Sequence, residues 1–272
     1  MAISKVIILA GGQGMRLREE TEYRPKPMVE VGGRPLIWHI MKHYAHHGHR
    51  EFVICLGYKG EAIKSYFLNF DYFSSDFTVT LGMPDNITCH GQQQEYGWSI
   101  TLADTGLESQ TGCRIKLVEN YVRDCDLILL TYGDGLSDVD IGALVEFHRR
   151  HGKIATITGV SPPSRFGELV VGDGGGVTRF SEKPQVSQGF INGGFFVLDR
   201  RVFNYLTADP ELNFEKEPLQ RLAEDGELMM YHHPGFWQCV DTMRDLVLVS
   251  SLWKNQQAPW VTWRKSSGVA GL

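Results

Sequence analysis

Val6–Met28 reads VIILAGGQGMRLREETEYRPKPM. The opening run Val6-Ile7-Ile8-Leu9 is short, apolar and largely β-branched, as in a strand buried on both faces rather than a helix. It ends in Ala10-Gly11-Gly12-Gln13-Gly14-Met15-Arg16. Glycines at 11, 12 and 14, directly after a strand, let backbone N–H groups approach an anion with no Cβ in the way. Arg16 adds a cationic fork beside that cradle. Lys26 stands between Pro25 and Pro27, which are expected to hold the chain extended and aim the lysine stiffly. Together these residues read as a grip for a polyphosphate.

Two familiar grips are excluded. A P-loop closes its glycine run with Gly-Lys-Ser/Thr, whereas Gly14 is followed by Met15-Arg16. A dinucleotide fingerprint needs a glycine at position 17, where leucine stands, and an acid after the second strand, where Leu56-Gly57 follows. A nicotinamide-dependent dehydrogenase is therefore disfavoured.

Working outward, 28–31 reads as a short strand, and Pro35 opens a helix to about His47, stopped by Gly48. His39, His43, His46 and His47 share helical spacing without a carboxylate motif and are read as a partly exposed helix face. Residues 51–56 form a second strand, and 59–68 a helix turning Ile63, Tyr66 and Phe67 inward. This alternation predicts an α/β domain with a mostly parallel sheet. Residues 127–131 are the clearest central strand and deliver Tyr132-Gly133-Asp134-Gly135. Ligands of open α/β sheets lie beyond the carboxyl ends of strands, so Asp134 is expected on the edge that carries the glycine loop.

From 71 to 112 the rhythm breaks into a β-rich insertion with a polar, turn-rich stretch at 85–97. Its Asp104-Thr105-Gly106 and Thr111-Gly112-Cys113-Arg114 suit a base and sugar pocket. Asp138 and Asp140 are expected to cap a helix over 141–151. A hairpin over 165–181 delivers Glu182-Lys183-Pro184, a second lysine fixed by proline, and Asn192-Gly193-Gly194 then enters a strand. Helices follow over 201–206 and 215–224, then a strand over 228–231. Asp241-Thr242 opens a long helix, with Asp241 as cap or dipole partner. Pro259, Trp260 and Trp263 read as an aromatic anchor, and 266–272 as a frayed tail.

At 272 residues the chain can bury a large core, and its 42% hydrophobic and 22% charged make-up is ordinary for a globular protein. A net charge of −5 argues against a nucleic-acid polymer as partner. Five cysteines without a CxxC pair suggest neither a disulfide framework nor zinc. With no long apolar run and no signal-peptide pattern, neither a membrane span nor secretion is expected, which makes the expected location cytoplasmic.

LAGGxGxRL followed by PKPM resembles the signature of the sugar-1-phosphate nucleotidyltransferases, and the resemblance extends to about Trp263. WSITLADTG, TGCR and HPGFWQ…DTMRD resemble the cytidylyltransferase branch of that family, although Met15 stands where threonine is usual and Cys113 where glycine is usual. The resemblance implies one Rossmann-like, glycosyltransferase-A-like domain over 1–263, a mostly parallel mixed sheet flanked by helices. Residues 71–112 would line the nucleotide site, 201–263 form a C-terminal helical segment and 264–272 a flexible tail. It further implies reaction of CTP with glucose 1-phosphate, Mg²⁺ as cofactor, a homo-oligomer, and a role in supplying deoxysugars for cell-surface polysaccharide such as O-antigen. The loop from Leu9 to Arg16, with Lys26, Thr105, Thr111, Arg114 and Gly133, would bind the nucleotide. Lys183, Asn192, Gly193 and Trp237 would bind the sugar phosphate, and Asp134 and Asp241 the metal. Arg16, Lys26 and Lys183 would be the catalytic charges. Thymidylyl- and uridylyltransferases share the opening motif and remain alternatives, as does a non-catalytic nucleotide-sugar-binding protein.

Overall fold

Strand β1 (Ser4–Ala10) divides the core between two faces. Val6 and Ile8 enter one apolar cluster and Ile7 and Leu9 another, the alternation of a strand covered on both sides. The computed structural model describes residues 4–82, 87–90, 95–161, 168–171, 176–181 and 189–267. Within them β1 is joined by β2 (Glu51–Leu56), β3 (Ser99–Asp104), β4 (Leu127–Tyr132), β5 (Ala155–Val160), β6 (Phe196–Asp199) and β7 (Leu228–His233). The sheet order is Ile191–Asn192, β5, β6, β4, β1, β2, β3, with β7 paired to β5. Strands β3, β2, β1 and β4 run parallel; β6 is antiparallel to both β4 and β5. The sheet is thus mixed and mostly parallel, as the strand–helix alternation predicts.

Helices cover both faces. On one, α1 (Leu36–His46) contributes Leu36, Ile37, Ile40, Met41 and Tyr44, all at most 2% exposed. No side chain caps this helix; at about 1.5–3 kcal/mol per fully buried Leu or Ile, packing rather than capping holds it. On the other, α3 (Thr111–Leu117) and α5 (Glu217–Glu224) supply Ile115, Leu219 and Leu222; α2 (Gly60–Leu68), α4 (Ile141–His151) and α6 (Met243–Lys254) complete the set used below.

Several expectations are corrected. The chain is extended only at Pro25; Lys26–Met28 closes into a 3₁₀ turn, with the Met28 and Val29 N–H groups donating to Pro25 O and Lys26 O. Strand β3 belongs to the central sheet, with Ser99 opposite Glu51, so the excursion shrinks to an exposed hairpin of Asp76–Val79 with Ile87–His90. The second of these strands lies where a turn-rich stretch was expected.

His39 and His43 are core residues rather than exposed ones. His39 Nε2 bonds Val31 O at 2.9 Å and His43 Nε2 bonds Val139 O at 2.8 Å. Burial pushes them down to about 4 and about 3, so both are neutral. Trp260, 1% exposed, donates to His39 Nδ1 and serves as the expected anchor.

Asp140 caps α4, but Asp138 instead accepts from Phe236 N at 2.7 Å. The segment 201–263 is not purely helical: it holds β7 and a strand Trp237–Cys239 paired with Gly135–Ser137. Thr242, not Asp241, caps α6, through a capping box with Asp245. A 3₁₀ turn Thr262–Ser267 stands where the tail was expected to begin. Among the described residues, no helix is long and apolar enough to cross a membrane.

Candidate active site

The parallel register sets the site. Leu9 lies opposite both Cys55 and Tyr132, and Leu56 opposite Asp104, so β1 to β4 end together. The loop after β1 and the Gly133-Asp134 turn after β4 therefore share one edge, as expected for Asp134. Gly14 has φ +63°, and a Cβ there would come within 2.8 Å of the Thr21 methyl, so glycine is required. Thr21 Oγ1 donates to Gly14 O at 3.1 Å and fixes the start of the Met15–Leu17 3₁₀ turn. Among the described residues, no protein group accepts from the backbone N–H groups of Gly12, Gln13 and Gly14, which leaves them available to an anion.

A cavity of about 560 Å³ opens over this loop. Residues 9–16, Lys26, Thr111, Arg114, Gly133, Asp134 and Asp241 line it. Thr105 does not; it is buried beneath, donating to Leu56 O at 2.7 Å.

Arg114 spends much of its guanidinium on the protein. It donates to Leu56 O (2.9 Å), Thr105 Oγ1 (2.8 Å), Gly106 O (2.8 Å), Leu107 O (3.1 Å) and Gly11 O (3.2 Å). A Cβ on Gly11 would fall 2.2 Å from its Nη1. The first helical turn of α3 thus clamps the glycine loop to the ends of β2 and β3.

Charge concentrates at the other end of the cavity. Lys26 Nζ donates to Asp134 Oδ2 at 2.6 Å and to Asp241 Oδ1, while Arg16, largely exposed, pairs with Asp241 Oδ2 at 2.7 Å. Burial opposes the Lys26 ammonium, but the Asp134 charge and the bonds to both aspartates outweigh it and hold its pKa above the usual lysine range. Cys239, which sequence reasoning passed over, brings its Sγ within 4.8 Å of both carboxylates. Burial and the neighbouring Asp134 charge push that thiol far up, so it stays protonated. Two hard carboxylates, more than a hundred residues apart in sequence, meet here. Asp134 directly precedes the strand Gly135–Ser137 and Asp241 lies two residues past Trp237–Cys239; the antiparallel pairing of these strands, with Cys239 opposite Gly135, draws the two aspartates together.

The residues expected on the sugar side sit behind Tyr132. Asn192 Nδ2 donates to Tyr132 Oη at 3.0 Å, and Trp237 Nε1 donates to Gly193 O at 2.7 Å. Lys183 lies outside the described residues. Glu215, another residue the sequence did not flag, bonds both Thr111 and Tyr132.

Comparison with known proteins places the chain in a family. The family model described as Nucleotidyl transferase matches residues 5–256. The chain is 51% identical to the glucose-1-phosphate cytidylyltransferase of Salmonella typhi over 95% of this chain and 99% of that protein, and equally identical, with the same coverage, to that of Salmonella typhimurium. Among solved structures, HddC from Yersinia pseudotuberculosis superposes with a TM-score of 0.65 at 20% identity, covering 93% of this chain and all of that one, which speaks to the fold. On the extent of the family match and of these identities, the chain belongs to the nucleotidyl transferase family.

Proposed function

We propose that the protein joins CTP and α-D-glucose 1-phosphate into CDP-glucose and pyrophosphate. The observation that carries the reading is the convergence, around one cavity at the carboxyl edge of β1 and β4, of an open glycine loop, Arg16, Lys26 and two carboxylates. The choice of base and sugar follows the Salmonella relatives.

The sugar-phosphate oxygen attacks the α-phosphorus of CTP, the bond to the β-phosphate's bridging oxygen breaks in line, and pyrophosphate leaves. The attacking group is already an anion, so no side-chain base is required, and positioning with charge neutralisation does most of the work. The loop N–H groups from Gly12 to Gly14 and the Arg16 fork hold the triphosphate, and Lys26 keeps a fixed cation beside it. Asn192, Gly193 and Trp237 shape the sugar side, with Lys183 assigned to the sugar's own phosphate.

The family works with a divalent cation, and Asp134 and Asp241 have the donors to hold one: hard oxygens that suit Mg²⁺, our choice of ion, beside a protonated thiol that does not. When bound, such an ion neutralises phosphate charge on the nucleotide and on the departing pyrophosphate. The reading also takes 1–263 as one domain, in a homo-oligomer acting in the cytoplasm.

Pyrophosphate release measured over CTP, TTP, UTP and GTP against glucose and mannose 1-phosphates tests it. CTP with glucose 1-phosphate should be fastest. A faster TTP or UTP reaction would move the assignment to another base, and silence in every pair would leave a binding protein.

A further inference from the structure

Thr111 and Asn192 stand on different elements and, in the reading above, serve different substrates, yet one carboxylate connects them. Glu215 lies in the turn before α5, half-buried, next to the fully buried Phe214. Phe214 packs edge-on to Phe196 of β6, and Glu215 N donates to Asn213 Oδ1 at 3.1 Å, so the backbone under Glu215 is fixed from both sides.

Glu215 Oε2 accepts from Thr111 Oγ1, which itself accepts from Phe214 N at 2.9 Å; the threonine hydroxyl is thereby fixed as donor one way and acceptor the other. Glu215 Oε1 accepts from Tyr132 Oη at 2.6 Å, and Tyr132 Oη accepts from Asn192 Nδ2 at 3.0 Å. The Asn192 carbonyl then takes Gly194 N at 2.8 Å. Burial and the Glu215 charge keep the Tyr132 phenol protonated and therefore a donor.

Among the described residues, Glu215 has no cationic partner within 4 Å. Among the described residues two hydroxyls alone balance this half-buried carboxylate, a costly arrangement for stability in which hydrogen bonds offset the desolvation. Thr111 and Tyr132 both line the cavity, whereas Glu215 stands behind them and does not.

We propose that Glu215 is a positioning residue that couples the two halves of the site, fixing Thr111 on the nucleotide side and, through Tyr132, Asn192 on the sugar side. The role rests on the substrate reading above for its kinetic consequence, but not for its structural one. Tyr132→Phe cuts the link to Asn192 and leaves Glu215 on Thr111. It should raise KM for glucose 1-phosphate about tenfold, the scale of one hydrogen bond, and leave KM for CTP unchanged. Glu215→Ala should raise both. Glu215→Gln keeps the side-chain length but only one acceptor oxygen for two donating hydroxyls, so it should restore one of the two KM values and leave the other raised.

Adding Tyr132→Phe to Glu215→Ala should raise the sugar-phosphate KM little further, because both act on the same link. Amide hydrogen exchange gives a substrate-independent readout. Segments 110–114 and 191–194 should lose protection together in Glu215→Ala, and only 191–194 in Tyr132→Phe. If Glu215→Ala loosens neither segment, or lowers the melting temperature while both KM values stay at wild type, the coupling role is overturned. If the exchange pattern holds but no nucleotide and sugar phosphate react, the substrate reading fails and the positioning role stands.

Discussion

Arg114→Ala separates a clamp from a ligand contact. Truncation removes five donated hydrogen bonds, of which those to Leu56 O, Thr105 Oγ1 and Gly11 O lie in buried surroundings. The acceptors of the other two, Gly106 and Leu107, are exposed enough for water from the cavity to replace the guanidinium. Leu56 O keeps Thr105 N and Oγ1 as donors and Gly11 O keeps Tyr58 N, so the three buried bonds count at about 0.5–1.5 kcal/mol each, a loss of roughly 1.5–4.5 kcal/mol. For a chain of 272 residues, where 1 kcal/mol is worth about 2 °C, that lowers Tm by about 3–9 °C. Thermal melting by circular dichroism, with urea unfolding as a second measure, reads the loss. Arg114→Lys keeps the charge but not the fork, and should fall between wild type and alanine. An alanine variant that melts like wild type while KM for the nucleotide rises would refute the reasoning, since the guanidinium would then serve the ligand rather than the Gly11 loop.

Lys26→Met leaves Asp134 and Asp241 facing one another without their shared ammonium. A divalent cation should therefore raise the variant's Tm more than wild type's in a thermal-shift titration without nucleotide; equal shifts would show that Lys26 does not hold these carboxylates. Asp134→Asn and Asp241→Asn should each lower kcat by about two to three orders of magnitude, the scale of losing one charge-stabilising group. Each single variant leaves Lys26 one aspartate, so Tm should change little. The double variant should be scarcely slower than either single one, yet less stable by about 3–5 kcal/mol because the buried ammonium loses both partners. Multiplicative rate losses would mean that the carboxylates act separately.

Local chemistry made much of this protein legible in the chain itself. A β-branched run followed by spaced glycines has few alternatives to a buried strand and an open loop, and alternation with helical patterns implies a parallel sheet. Those signals lie within a few residues of one another, so β1, its loop and the Gly133-Asp134 turn could be placed on one edge before any coordinates. Trp98–Leu102 misled because a period-two pattern describes an edge strand and an insertion strand equally well; only its register against β2 distinguishes them. His39 and His43 misled for a related reason: polarity suggests exposure, as holds for His46, but each of these two rings finds a backbone acceptor inside the core.

What the chain could not express were partnerships set by distance in sequence. Arg114 reads as a cationic contact until its acceptors at residues 11, 56 and 105–107 surround it. Glu215 carries no motif, and its meaning arises only where three segments bring Thr111, Tyr132 and Asn192 to it. A sequence records residue type and local period. Which buried donor meets which acceptor depends on how the sheet and its helices close, and only the tertiary structure decides that.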